Sequence, residues 1–115
     1  VTGVAAIGKV ITILERVGMD VIEAQERILT RNILLGLNKI QNIKIFSIKD
    51  PESPRFNRKG GTIVFNLKNV PHNLVAKELT EYGAIGVRNG CFCANMLVKH
   101  LLKINPFRVS LQDLV

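Results

Sequence analysis

The chain has 115 residues, of which 47% are hydrophobic and 22% charged, and its 16 Lys and Arg against 9 Asp and Glu leave a net charge of +7. That length suits one domain with a single core, and that composition excludes a disordered chain. Uncharged apolar runs such as residues 10–14 are far too short to cross a bilayer.

In chain order, Val4, Ile7, Ile11, Leu14 and Gly18 recur at steps of three and four, which predicts an amphipathic helix stopped by a glycine. Lys9, Glu15 and Arg16 interrupt this stretch and no cleavage pattern follows, so it reads as a structural helix and not as a signal sequence. Asp20 and Glu23 have the spacing of a capping box, and Ile22, Leu29, Ile33, Leu37 and Ile40 carry the apolar stripe through a second, longer helix. The period then changes to two. Ile43, Ile45 and Ser47 alternate with Lys44, Phe46 and Ile48, predicting a strand. The stretch "KDPESPRFNRKGG" reads as a long, mobile loop. Its Arg55, Arg58 and Lys59 run straight into Gly60-Gly61 with Phe56 as the single neighbouring aromatic, a solvated loop and not a phosphate-tracking groove, so nucleic acid is not an expected partner.

A second strand is predicted from the alternation of Ile63, Phe65 and Leu67. Pro71 opens a third helix with Leu74, Val75, Leu79 and Tyr82 on one side and Gly83 as its stop. Residues 84–89 return to an extended pattern, Leu97, Leu101 and Leu102 predict a short helix, and "FRVSL" closes as a last strand. The order of elements describes one α/β (α+β) domain over residues 1–115, with helices packed on a small mixed or antiparallel sheet.

Both cysteines lie in "RNGCFCA", residues 88–94. A disulfide between Cys91 and Cys93 would close a small, strained ring, and two cysteines make no secreted scaffold, so a reducing compartment such as the cytoplasm is expected. A zinc site would have only these thiols plus His72 and His100, without a second paired spacing, and no metal is expected. Two readings remain from the residues alone: core cysteines, or a reactive thiol after a strand end, where Arg88 would favour the attacking thiolate. In "FRVSL" the alternation sets Arg108 and Ser110 opposite Phe107, Val109 and Leu111. Arg108 is there either a planar fork for a carboxylate or an ordinary surface ion-pair residue.

"YGAIGVRNGCFCA", with "GGTIVFNL" before it and "FRVSL" after it, resembles the small C-terminal domain of class V aminotransferases, fold-type-I enzymes dependent on pyridoxal phosphate, and especially their cysteine desulfurase and selenocysteine lyase branch. The likeness runs over nearly the whole chain. That branch carries its nucleophilic cysteine in the pattern arginine, any residue, glycine, two variable residues, cysteine, alanine. Arg88, Gly90, Cys93 and Ala94 match it, so the resemblance implies Cys93 as the nucleophile, with Cys91 at a variable position. It further implies that Arg108 grips the substrate α-carboxylate, with Arg88 and His100 in supporting parts; by itself His100, on a leucine-rich helix, is a plain structural residue. The wording "GCFC" is also similar to the molybdenum-cofactor sulfurase branch.

The family holds pyridoxal phosphate on a lysine of a large N-terminal domain with no counterpart here, and the chain, starting at Val1, is expected to be a fragment of such an enzyme, inactive alone. Its parent would be a homodimer taking sulfur from an amino-acid substrate to an acceptor protein. The alternatives are a class V aminotransferase without desulfurase activity, a sulfurase, or a non-catalytic basic binding module.

Overall fold

The computed structural model describes residues 2–104. Helix α1 spans Thr2–Val17 and α2 Met19–Leu37; strand β1 spans Ile43–Phe46; a 3-10 turn covers Phe56–Arg58; strand β2 spans Val64–Leu67; helices α3 and α4 span His72–Gly83 and Asn95–Leu102. The two strands pair in one small antiparallel sheet, so the class is α+β, as the periodicities require. The last predicted strand, "FRVSL", lies outside the described residues.

The chain divides into two units after Phe65. In the first, α1 and α2 meet at Gly18. Its φ of 89° is a left-handed value, and a side chain there would press against Asp20 Oδ1 at 2.6 Å. Gly18 donates to Leu14 O (2.9 Å) and accepts from Ile22 N–H (3.2 Å), ending one helix and starting the next. The predicted capping box is not formed: Gly18 is the N-cap of α2, with no side-chain cap bond, and Glu23 pairs with Arg27 one turn on. The glycine has taken the position an Asp cap would need.

Helix α2 buries a face other than the predicted stripe. Leu29 and Ile33 are exposed, whereas Thr30 and Leu34 are buried, Leu34 completely. What covers this face is the segment after β1. Asn38 Nδ2 donates to Lys49 O (2.9 Å), Arg31 Nη1 to Glu52 Oε1 (2.6 Å) and Arg27 Nη1 to Asn57 Oδ1 (2.5 Å). Gly61 passes so close to Glu26 that a Cβ would lie 2.8 Å from its carboxylate. The partners fall in reverse order, so the segment runs antiparallel along α2. Positions 27, 30, 31, 34 and 38 share one side of a helix at these spacings. Pro51 and Phe56 are buried. The stretch predicted as a mobile loop is therefore pinned: Pro51 and Phe56 are buried, and its polar groups bond to Arg27, Arg31 and Asn38.

In the second unit, Pro71 is the N-cap of α3, one place before the first helical residue. Gly83 is the last helical residue and Ala84 takes the left-handed cap, φ 51° and ψ 30°. Ile85 N–H then reaches back to Leu79 O (3.0 Å), and Ile85 folds so close over Gly83 that any larger residue there would meet Ile85 Cδ1 at 3.1 Å. Residues 84–89 form no strand. Ile85 and Val87 are exposed, so the apolar alternation there has no surface to bury against among the described residues. Ala76 on α3 is the buried apolar side chain of this unit among those described.

Candidate active site

The thiols sit in the connection that enters α4. Gly90 has φ 93°, a value its missing side chain permits, and two residues with side chains then follow in the same region, Phe92 at 51° and Cys93 at 60°. Ala94 N–H closes this turn on Cys91 O at 2.8 Å. Consecutive left-handed residues at the two central positions, with that bond, are the mark of a primed β-turn. The segment is thus a tight turn, a connection as the sequence predicts, but the strand expected before it over residues 84–89 is not formed. Left-handed backbone costs about 1–2 kcal/mol per residue with a side chain, and such outliers gather at functional sites.

Cys91 is half-buried, Cys93 exposed, and neither is in a disulfide. Arg88 does not stand free beside them: its guanidinium lies over the Phe92 ring, 5.3 Å from the centroid. A cation there gains about 0.5–1 kcal/mol at an exposed site. Phe92, a variable position in the motif, is the residue that sequence reasoning missed. The signal for it was an aromatic four residues after an arginine, which becomes informative only once the turn folds one over the other.

His100 is exposed in the last turn of α4, where its carbonyl accepts from Lys103 N–H (3.1 Å). Arg108 and Ser110 lie outside the described residues. The turn brings together Arg88, Phe92, Cys91 and Cys93 in sequence; it places His100 on the helix that follows.

Among the described residues, no cluster of His, Cys, Asp and Glu is gathered that could hold a metal ion. A surface concavity of about 400 Å³ in the first unit is lined by Ser47, Ile48, Lys49, Asp50, Ser53 and Arg55. It combines a lysine and a carboxylate but offers no ring to stack on a pyridine, and Asp50 already accepts from Glu52 N–H at 2.9 Å. That concavity does not build a cradle for pyridoxal phosphate. The basic residues Arg55 and Arg58 are exposed, Lys59 Nζ donates to Thr62 O (2.8 Å), and Phe56, the aromatic inside this basic cluster, is buried. No helix among the described residues is long and apolar enough to cross a membrane.

Comparison with known proteins agrees with the motif. The family model for class-V aminotransferases matches residues 1–113, and the chain belongs to that family. It is 34% identical over 105 residues to probable cysteine desulfurases of Staphylococcus aureus, a match covering 90% of this chain and 24% of theirs. It is 30% identical over 111 residues to a cysteine desulfurase of Wigglesworthia glossinidia brevipalpis, covering 96% of this chain and 25% of that one. The chain therefore spans about a quarter of the length of these relatives. No solved structure matches.

Proposed function

We propose that the chain is the cysteine-bearing, C-terminal small domain of a pyridoxal-phosphate-dependent cysteine desulfurase, and that Cys93 is its nucleophile. The observation that carries this reading is an exposed Cys93 in the Arg88, Gly90, Cys93, Ala94 pattern of a chain whose named relatives are cysteine desulfurases. The cofactor, which supplies the electron sink for the substrate carbon, is assigned to a part of the enzyme that this chain does not span.

Cys93 acts on sulfur. Its thiolate attacks the sulfur of the bound cysteine substrate, an S–S bond forms as the substrate C–S bond breaks, and the bonding pair stays with carbon. Protonation of that carbon gives alanine and leaves a persulfide on Cys93. The outer sulfur then passes to a thiol of an acceptor protein. The turn suits such a transfer, since it holds Cys93 on the surface while Gly90 at its start keeps bulk away from the approach. Arg88, stacked on Phe92, stiffens the turn as a positioning residue. Arg108 is assigned to the substrate carboxylate, and His100 to proton exchange near the thiol. Free thiols fit a cytoplasmic enzyme, and a homodimer is the expected assembly.

The test is made in the enzyme containing this domain, supplied with cysteine. Mass spectrometry should find added sulfur on Cys93, alanine should accumulate, and Cys93→Ala should abolish both while Cys91→Ala retains them. Sulfur found on Cys91 alone, or equal loss from both substitutions, would remove the assignment. Arg108→Lys should raise the substrate concentration needed for half-maximal rate; an unchanged dependence would give the arginine another part.

A further inference from the structure

Charge is unevenly placed along the chain. Between Glu81 and Asp113 there is no Asp or Glu, while Arg88, Lys99, Lys103 and Arg108 all fall there, so this stretch alone carries +4 of the net +7. The thiol turn lies inside it, and α4 follows. Met96, Lys99 and His100 stand at i, i+3 and i+4 on that helix, and Lys103 continues the row at i+7, so the four share one side. Met96 is 81% exposed, His100 and Lys103 are exposed and Lys99 is half-buried. The row begins three residues after the exposed Cys93 and runs about 10 Å, at 1.5 Å per residue. On α3 a lysine has a carboxylate one turn away, Lys77 with Glu81 at 3.9 Å. Neither Lys99 nor Lys103 is in an ion pair among the described residues. Lys103 takes the left-handed cap at φ 55°, its N–H bonded to His100 O (3.1 Å) and the Ile104 N–H to Lys99 O (3.0 Å). Glycine is the ordinary residue there, and a side chain costs about 1–2 kcal/mol, more than the roughly 0.3–1 kcal/mol that a cation gains from the helix dipole. This lysine sits at a net cost to the fold.

We propose that the row Met96, Lys99, His100 and Lys103 is the docking surface for the sulfur acceptor, and that the acceptor meets it with a carboxylate-rich surface that presents its thiol to Cys93. Met96 gives the contact its apolar centre, since a thioether side chain adapts to an irregular partner. Lys99 and Lys103 draw the acidic partner in and set its register. Nucleic acid fits the row less well: residues 93–104 hold no Phe, Tyr or Trp for a base to stack on, and the Phe92 ring already carries Arg88. That the partner takes sulfur rests on the sulfur-transfer reading, whereas its acidic character rests on the charges of α4.

The experiment uses the enzyme containing this domain and two short peptides with one cysteine each, alike except that the glutamates of the first are lysines in the second. As a pyridyl disulfide, each peptide is attacked at its cysteine sulfur by the Cys93 thiolate, which forms a mixed disulfide and expels the pyridine thiolate, so docking is read without sulfur transfer. As a free thiol, each takes the outer sulfur from Cys93 of enzyme supplied with cysteine. Peptide mass spectrometry follows Cys93 in both. The acidic peptide should react about tenfold or more faster than the basic one at low salt, and the difference should shrink to about twofold at about 0.5 M salt. Lys99→Gln combined with Lys103→Gly removes both charges while glycine suits the cap, and should cut the preference by about fivefold with alanine formation in a single turnover unchanged. Met96→Ser should slow the acidic peptide at both salt concentrations. Equal rates for the two peptides, a preference untouched by the paired substitution, or tighter binding of a duplex oligonucleotide or of anionic vesicles than of the acidic peptide would each overturn the proposal. A charge preference in the disulfide form with no sulfur reaching the free thiol would uphold the docking surface and remove the sulfur-transfer reading.

Discussion

Residues 49–62 and residues 84–94 are both connections, and they reach order by opposite routes. The first is polar, with two prolines and two glycines, yet it lies along α2 through Lys49, Glu52 and Asn57 and buries Pro51 and Phe56. The second contains the apolar alternation of Ile85 and Val87 but leaves both exposed, and it gets its shape from within: an αL cap at Ala84, a stacked Arg88 and Phe92, and a left-handed turn at the thiols. Ordering a segment from outside needs a receiving surface. Ordering it from inside needs residues in costly conformations, and that is where a reactive group can remain in reach of solvent.

The largest expected effect disrupts the first region. Phe56→Ala should cost about 3 kcal/mol, the range for truncating a buried aromatic, read as a lower urea midpoint with loss of amide-exchange protection across residues 49–62. Unchanged protection there would mean that the polar bonds, and not the ring, hold the segment. A smaller change probes the second region. Ala84→Gly should stabilise the end of α3 by about 1 kcal/mol, since glycine takes the left-handed cap without a Cβ penalty; a loss of stability would contradict the cap geometry.

Within the thiol turn, Cys93 should alkylate faster than Cys91 at neutral pH in the reduced chain, measured by timed labelling and peptide mapping, because one is exposed and the other half-buried. Equal rates would mean that the turn does not distinguish them. The smallest effect is expected for Arg31→Ala. Its ion pair with Glu52 is solvent-exposed on both sides, and exposed pairs are worth about 0–1 kcal/mol. A loss beyond that would shift the weight of the first region from its buried ring to its surface bonds.

Most of the elements were legible in the order of residues alone. Helix periodicity located α1, α2, α3 and α4, alternation located β1 and β2, and Gly18 and Gly83 marked helix ends to within a residue. These are local properties, set by which side chains recur on one side of a helix or strand. The likeness of Arg88, Gly90, Cys93 and Ala94 to the desulfurase pattern made Cys93 the candidate, where the residues alone had left core cysteines and a reactive thiol open.

What each side faces was settled by folding. The apolar stripe of α2 was assigned through Leu29 and Ile33, but burial fell one residue on, at Thr30 and Leu34, on the side where Arg27, Arg31 and Asn38 bond the segment after β1. Helix α1, apolar at Val4, Ile7 and Ile11, buries none of its described residues. Asp20 and Glu23 had the letters of a capping box and lost it to Gly18. At the thiols the letters marked only a connection after an expected strand. Its left-handed form at Phe92 and Cys93, and the bond from Ala94 N–H to Cys91 O that closes it, appear only when the chain has folded.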